Sequence, residues 1–418
     1  MKKNHSISRR DFIKRLTACG CGAFLFNCFP NFSVPTAWAE SGNGTKLLFV
    51  NLNGGYDGIT MLQPSLGNLY NTTLSLRPSL TNSPGSLLDV GGGYGFHPLL
   101  TTFKNIYNDG QLAAVFNVGY DNMSRSHLDA EVVYARGVPD RLNPTASGFL
   151  TRLGTEFNWG AMQAISVTGA DKAFEGGPYR GIQVSGLESF RFMQDESSST
   201  HESRDRRDTS FSVLSDWELD PNKSNQKALV DSFGLDINAT EIVHDAYYST
   251  TFPTAYPNSR MARGFKDIDI AFSSPLIDAQ VGYMRFVGFD THSTQAERMQ
   301  SLLPEFNSAL AAFIQNMKQK GLWNKLIILV YSEFGRTNRE NGSQGTDHGG
   351  ALPVFLLGGK VKGGLVGEML VNDLTDYGWL PMRYNIVSVY RSLLAQMGYD
   401  PNRVFAQASG AALPTLFI

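Results

Sequence analysis

Asp57, Asp290, His292, Glu333, Asp347 and His348 are the residues of this 418-residue chain whose types and settings could do chemistry. Asp57 follows the run KLLFVNLNGGY, Asp290 and His292 follow MRFVGF, and Glu333 follows KLIILVYS, with Asp347 and His348 close behind in GTDHGG. The apolar runs read as strands. An open α/β sheet gathers strand ends along one edge, where ligands and metals bind. Carboxylates and imidazoles brought together there make an oxygen/nitrogen metal site. That is the chemistry of a metal-dependent hydrolase or of a descendant of one.

Each residue carries a competing structural role. Asp57 lies in Gly-Gly-Tyr-Asp-Gly, where it approaches a cation closely or stabilises its own turn. Asp290 and His292 are two apart on an extended segment, so both side chains point to one ion, unless Asp290 caps the following helix. Glu333 leaves a very apolar strand, which is costly for a carboxylate that is neither paired nor metal-bound. Arg336 either neutralises Glu333 or binds an oxyanion through its two-pronged donor set. Asp347 and His348 are adjacent and diverge, so one binds metal while the other orients a partner. Among the seven histidines, His292 and His348 are the expected ligands; His5 lies in the export signal, and His201 and His244 fall in the cap-like segment with no partner pattern. Ser124-Arg125-Ser126-His127 opens a helix after the strand Leu112–Val118. A hydroxyl there caps the helix, or uses the helix dipole to stabilise an alkoxide or a bound phosphate. Taken with the acids and histidines in chain order, Ser126 reads as a nucleophile, with Ser124 as its substitute and Arg125 or Arg336 as the anion clamp.

The elements that must position these residues follow from periodicity. Strands are expected at about 46–52, 112–118, 162–167, 284–289, 325–331 and 353–357. Helices are expected near 98–110, 127–136, 150–153, 224–247 and 383–397. A long amphipathic helix from about 294 to 320 carries Leu302, Leu303, Phe306, Leu310, Phe313, Ile314 and Met317. Strands separated by such helices imply a mainly parallel sheet covered on both faces. Residues 171–265 are polar and irregular and read as a cap-like insertion, with 193–210 its most mobile stretch.

The first 39 residues read as an address label. Arg9 and Arg10, followed by Phe12 and Lys14, match a twin-arginine export signal, and Ala37-Trp38-Ala39 supplies a cleavage site. The exported chain then starts near Glu40 as a single domain, 40–418. All three cysteines lie inside the label, which excludes disulfides, thiolate metal sites and cysteine nucleophiles from the remainder. A net charge of −2 with no Lys/Arg stripe argues against nucleic acid. No later apolar run reaches the ~20 residues of a membrane span.

NLNGGYDG, SRSHLDAEVVYARG, GFDTHSTQ and YSEFGRTNRENGSQGTDHGG, with the twin-arginine start, resemble the DUF1501 family over essentially all of the exported chain. That family is related to the alkaline phosphatase/sulfatase superfamily. The resemblance implies an alkaline-phosphatase-like three-layer α/β sandwich with a mostly parallel central sheet and a loop-rich cap. It implies that Asp57 binds a metal, that Ser126 or Ser124 attacks phosphorus or sulfur, and that later Asp and His residues complete a site for one or two ions. Departures stand beside it. Glu333-Phe334 replaces the Asp-His found after this strand in the superfamily, which removes an imidazole. The pair Asp290-x-His292 is more tightly spaced, and the sulfatase cysteine is absent. The expected activity is exported, metal-dependent hydrolysis of a phosphate or sulfate ester. Mg²⁺, Mn²⁺ or Ca²⁺ suits the oxygens and Zn²⁺ the imidazoles. The expected partners are a small-molecule or envelope-polymer ester and, during export, the twin-arginine translocase. One rival is a non-catalytic binding or assembly protein. Another is metal-dependent group transfer on envelope polymers, with the aromatic-rich stretch around Tyr247–Tyr256 gripping the substrate.

Overall fold

The computed structural model describes residues 42–142, 147–190, 239–240 and 242–418. The export label and the expected mobile stretch 193–210 lie outside the described residues. The chain divides into two compact units, one holding Leu187–Tyr248 and the other Ala37–Gly186 with Ser249–Ile418. In the first, Leu187–Ser189 forms a 3-10 turn and the residues from 242 to 248 are helical.

The described residues of the second unit form twelve strands: β1 Lys46–Asn53, β2 Leu62–Pro64, β3 Leu88–Gly91, β4 Tyr94–Phe96, β5 Leu112–Gly119, β6 Ala164–Ser166, β7 Ile182–Gln183, β8 Val281–Val287, β9 Leu326–Tyr331, β10 Leu352–Leu357, β11 Gly364–Val366 and β12 Tyr384–Asn385. Nine of them form the central sheet in the order β11-β5-β10-β9-β1-β8-β6-β7, with β12 alongside β5. β2, β4 and β3 make a small antiparallel sheet of their own. β1 lies at the middle, parallel to β8 and to β9. β1, β5, β9 and β10 are buried along their whole length, as near-continuous apolar runs covered on both faces should be. In the central sheet only β10 runs against its neighbours.

Alternate residues of β1 assign the helical layers, because successive side chains of a strand point to opposite faces. Phe49 packs its ring against Phe149 of α5 (Phe149–Glu156), at 5.0 Å between centroids, and Tyr390 of α8 (Ile386–Gln396), at 5.7 Å. Leu48 meets the other layer beside Gly282, whose missing side chain leaves room for Ile268 and Phe272 of α6 (Arg260–Ser273). α6 packs on the long helix α7 (Gln295–Gln319) through Phe265 and Phe313, 5.3 Å apart. Helices therefore cover both faces of a mostly parallel sheet.

The expected strands and the helices 127–136 and 294–320 are present at those places. The margins of the polar segment 171–265 differ from its reading as an insertion. Ile182–Gln183 is a strand of the central sheet, and Arg260–Ser273 is a core helix with Met261, Phe265, Ile268 and Phe272 buried. Among the described residues no helix is long and apolar enough to cross a membrane.

Phe49→Ala should lower stability by about 3–5 kcal/mol in urea unfolding, since it removes the ring on which Phe149, Tyr390 and Tyr331 converge.

Candidate metal centre

β1, β5, β8 and β9 all end at the same edge of the sheet, and the reversed β10 begins there. The loops 54–57, 120–127, 288–294 and 332–351 are thereby gathered together. Gly54 and Gly55 turn the chain at φ +118° and +67°, a region costly for residues with a Cβ. A side chain at Gly54 would run into the backbone at Asp290, and one at Gly55 into the Phe334 ring. Thr294, a β-branched residue, is held at φ +45° just before α7, a strained setting secured by its N–H on the Ser343 carbonyl at 3.0 Å.

Arg336 ties these loops together. Its buried guanidinium donates to the carbonyls of Gly55 (2.6 Å), Thr346 (2.9 Å), Phe289 (3.2 Å) and Gly54, and to Asp290 Oδ1 (2.6 Å). Each of its three nitrogens is engaged and the group is buried, so Arg336 organises the site where the sequence allowed it to grip a substrate anion.

Three imidazoles converge on Asp290. His127 is the first residue of α4 (His127–Arg136), the helix that follows β5. Its Nδ1 lies 2.6 Å from Glu333 Oε1, and its Nε2 lies 3.5 Å from Asp290 Oδ2. His348 Nδ1 donates to the Arg125 carbonyl at 2.7 Å, which places its Nε2 3.3 Å from Asp290 Oδ1. His292 Nδ1 faces Asp347 Oδ1 at 2.9 Å, and its Nε2 lies 3.0 Å from Asp290 Oδ1 and 2.9 Å from His348 Nε2. Carbonyl and carboxylate oxygens only accept, so each Nδ1 carries a hydrogen, and in the neutral ring each Nε2 presents a lone pair. Neutral rings so placed turn lone pairs toward one another and toward a carboxylate, a repulsion that a ring proton or a cation among them relieves.

The electrostatics fit this arrangement. Glu333 is 1% exposed; burial pushes its carboxyl up, but hydrogen bonds led by His127 hold it below the ordinary value. Burial also pushes Asp290 up, and Arg336 together with His292 and His127 more than reverses that. The hydrogen bond from His292 lowers Asp347. Bonding to Glu333 raises His127 above the usual imidazole value, whereas burial lowers His348. The residues suit a cation chemically. His127 Nε2 is buried without a hydrogen-bond partner, and ligand atoms of His127, Asp290 and His348 all lie within 4.8 Å of one another. A tetrahedral zinc ion sets its donors about 3.3–3.4 Å apart.

The other sequence-derived residues take different places. Asp57 is not with the imidazoles. It is 1% exposed and receives Arg77 Nη1 on Oδ1 (2.9 Å) and Oδ2 (2.7 Å), the N–H of Ile59 (3.1 Å), Thr60 Oγ1 (2.9 Å) and Gln295 Nε2. With its oxygens so occupied, Asp57 is a buried ion-pair partner, which corrects its expected place as a metal ligand. It still supports the site, because Gln295 Oε1 accepts from Thr291 (2.9 Å) and Thr346 (2.6 Å), neighbours of Asp290, His292 and Asp347. Glu333 orients His127 through the ring nitrogen that faces away from Asp290. Ser124 Oγ donates to Asp129 (2.9 Å) and accepts from the Ser126 N–H (3.2 Å). Ser126 precedes α4 and is exposed, and its hydroxyl makes no capping bond.

His127 joins this candidate site without being expected from the sequence. Its signal was present: it follows Ser126 at the same sheet edge, and the buried Glu333 needs a partner.

A family model described as a protein of unknown function, DUF1501, matches residues 81–415. No curated protein matches the chain. Among solved structures, the chain is similar to the lipoteichoic acid synthase LtaP from Listeria monocytogenes, at 10% identity and TM-score 0.36, covering 91% of this chain and 78% of that one. It is similar to a protein in the alkaline phosphatase superfamily from Vibrio parahaemolyticus, at 12% identity and TM-score 0.40, covering 94% and 76%. It is also similar to the alkaline phosphatase of the Antarctic bacterium TAB5, at 10% identity and TM-score 0.38, covering 85% and 98%.

Glu333→Gln should weaken zinc binding about 10- to 100-fold with the fold retained, as measured by competition against a chromophoric chelator alongside circular dichroism. Zinc affinity of the ion-free wild type should rise as pH increases from 6 to 8, because the proton on His127, held above the usual 6.5, must leave before Nε2 can bind.

Proposed function

We propose, for a chain that belongs to the DUF1501 family, that it is a metal-dependent hydrolase of a phosphate or sulfate ester with Ser126 as nucleophile. The observation that carries this reading is the convergence of three Nδ1-anchored imidazoles on Asp290, with the buried Nε2 of His127 without a hydrogen-bond partner among the described residues. His127, Asp290 and His348 would hold one ion, with His292 beside them. This nitrogen-rich set suits zinc and its imidazole-binding neighbours better than magnesium or calcium. The ion, when bound, supplies Lewis-acid stabilisation of charge on the ester oxygens.

Ser126 is preferred over Ser124 because Ser124 Oγ is committed to Asp129 and to the Ser126 N–H. At the start of α4 the helix dipole favours negative charge on Oγ. Ser126 Oγ gives up its proton as it attacks phosphorus or sulfur, the ester oxygen leaves with the bonding electron pair and takes up a proton in its place, and water then cleaves the seryl ester, returning the hydrogen to Oγ. Arg125 is the remaining arginine able to receive the anion, since Arg336 is fully engaged. Glu333 and Asp347 keep His127 and His292 in the tautomer that this chemistry requires. The rival reading as a non-catalytic binding protein drew on a missing imidazole beside Glu333, and His127 supplies one there. Residues 1–39 support action outside the cytoplasm after twin-arginine export.

Metal analysis of protein purified without chelators should find about one zinc-type ion per chain. Screening aryl phosphates and sulfates should then yield an activity that dipicolinate abolishes and zinc restores. Ser126→Ala should reduce it by about 10³-fold or more with ion content unchanged. An ion-free, stably folded protein would sink this reading.

A further inference from the structure

The two arginines expected to grip an anion have separate fates. Arg336 is buried with its donors committed to four carbonyls and Asp290. Arg125 is exposed, and its guanidinium carbon lies 4.9 Å from the centre of the Trp379 ring. Among the described residues none of its side-chain N–H groups is taken by a protein acceptor. Its own carbonyl accepts from His348 Nδ1 at 2.7 Å, so the residue is anchored to the ion group through the main chain.

Trp379 is fixed from two sides. Its backbone bridges Thr337, next to Arg336, and its indole fills the space that a side chain at Gly350, two residues after His348, would need. An aromatic ring holds a guanidinium by its face. The in-plane N–H groups, arranged as a fork, stay free to meet two oxygens of a tetrahedral anion. Lysine in place of Arg125 would keep the charge but lose that fork.

We infer that Trp379 is a positioning residue which, by stacking under Arg125, sets a tetrahedral-oxyanion subsite beside the His127–Asp290–His348 group. This rests on the hydrolase reading, because the subsite would take the phosphate or sulfate group of its ester. Recognition then depends on geometry as well as charge, since the ring fixes the guanidinium instead of leaving it to sample many orientations.

The test is calorimetric titration of inorganic phosphate and of sulfate into the zinc-loaded full chain, with zinc content measured for each protein. Trp379→Leu, which keeps bulk but loses the ring face, should weaken oxyanion binding about 3- to 30-fold at unchanged zinc content. Trp379→Phe should restore most of it, and Arg125→Gln should lose as much as Trp379→Leu or more. Oxyanion binding that survives both Trp379→Leu and Arg125→Gln overturns this inference alone. Loss on Arg125→Gln with none on Trp379→Leu also overturns it, leaving Trp379 as packing only. A zinc-loaded wild type that binds neither anion overturns the hydrolase reading and this inference together.

Discussion

A buried guanidinium has to be answered by oxygen, and the requirement that Arg336 imposes is what holds the rest of the site in place. Removing such a cation from water costs several kcal/mol unless its donors are matched. Here the match comes from main-chain carbonyls in three separate loops plus the Asp290 carboxylate. The loops must therefore come together for the charge to be tolerated, and when they do, the imidazoles are brought to one another. Arg77 has a comparable role behind the site. It neutralises Asp57 and donates to the carbonyls of Thr337 and Asn338, so the loop after β1 and the loop after β9 share a second ionic clasp.

The imidazoles show a similar division of roles. Each has one nitrogen committed to a different acceptor: a carboxylate in the core, a carboxylate at the rim and a backbone carbonyl. Orientation is thus fixed independently for each ring, and disturbing one acceptor leaves the other two in place. The polar network around Asp290 is dense because its members differ in kind, with cations, acceptors and tautomer-locked rings alternating through it.

Much of the fold was legible from sequence because buried parallel strands are long apolar runs and α4 and α7 carry clear periodicity. Strand-end logic also reached Asp290, His292, Glu333, Asp347 and His348. His127 escaped because the first residue of a helix, directly after a serine, reads as belonging to a cap. Asp57 was assigned to metal because its partner Arg77 lies twenty residues on, and only the tertiary fold turns that arginine inward. Helix α6 was lost among polar neighbours. Its Asp269 looks like a surface residue but is buried, satisfied by Tyr256 (2.8 Å), Ser273 and Lys320. The single reversal of β10 leaves no mark in composition or period.

That reversal separates the site by sequence distance. Because β10 returns from the edge where β9 ends, residues 332–351 form a local hairpin, with Gly335 N–H on the Gly350 carbonyl at 2.7 Å and Thr337 N–H on the Asp347 carbonyl at 2.9 Å. Glu333, Arg336, Asp347 and His348 thus become neighbours at little loop-closure entropy. His127 meets Glu333 across a separation of 206 residues and depends on the long-range pairing of β5 with β10. Long-range contacts of this kind form slowly. Glu333, Arg336, Asp347 and His348 can therefore come together early and locally, while His127, reaching Glu333 from the far side of β10, reports that the whole sheet has closed.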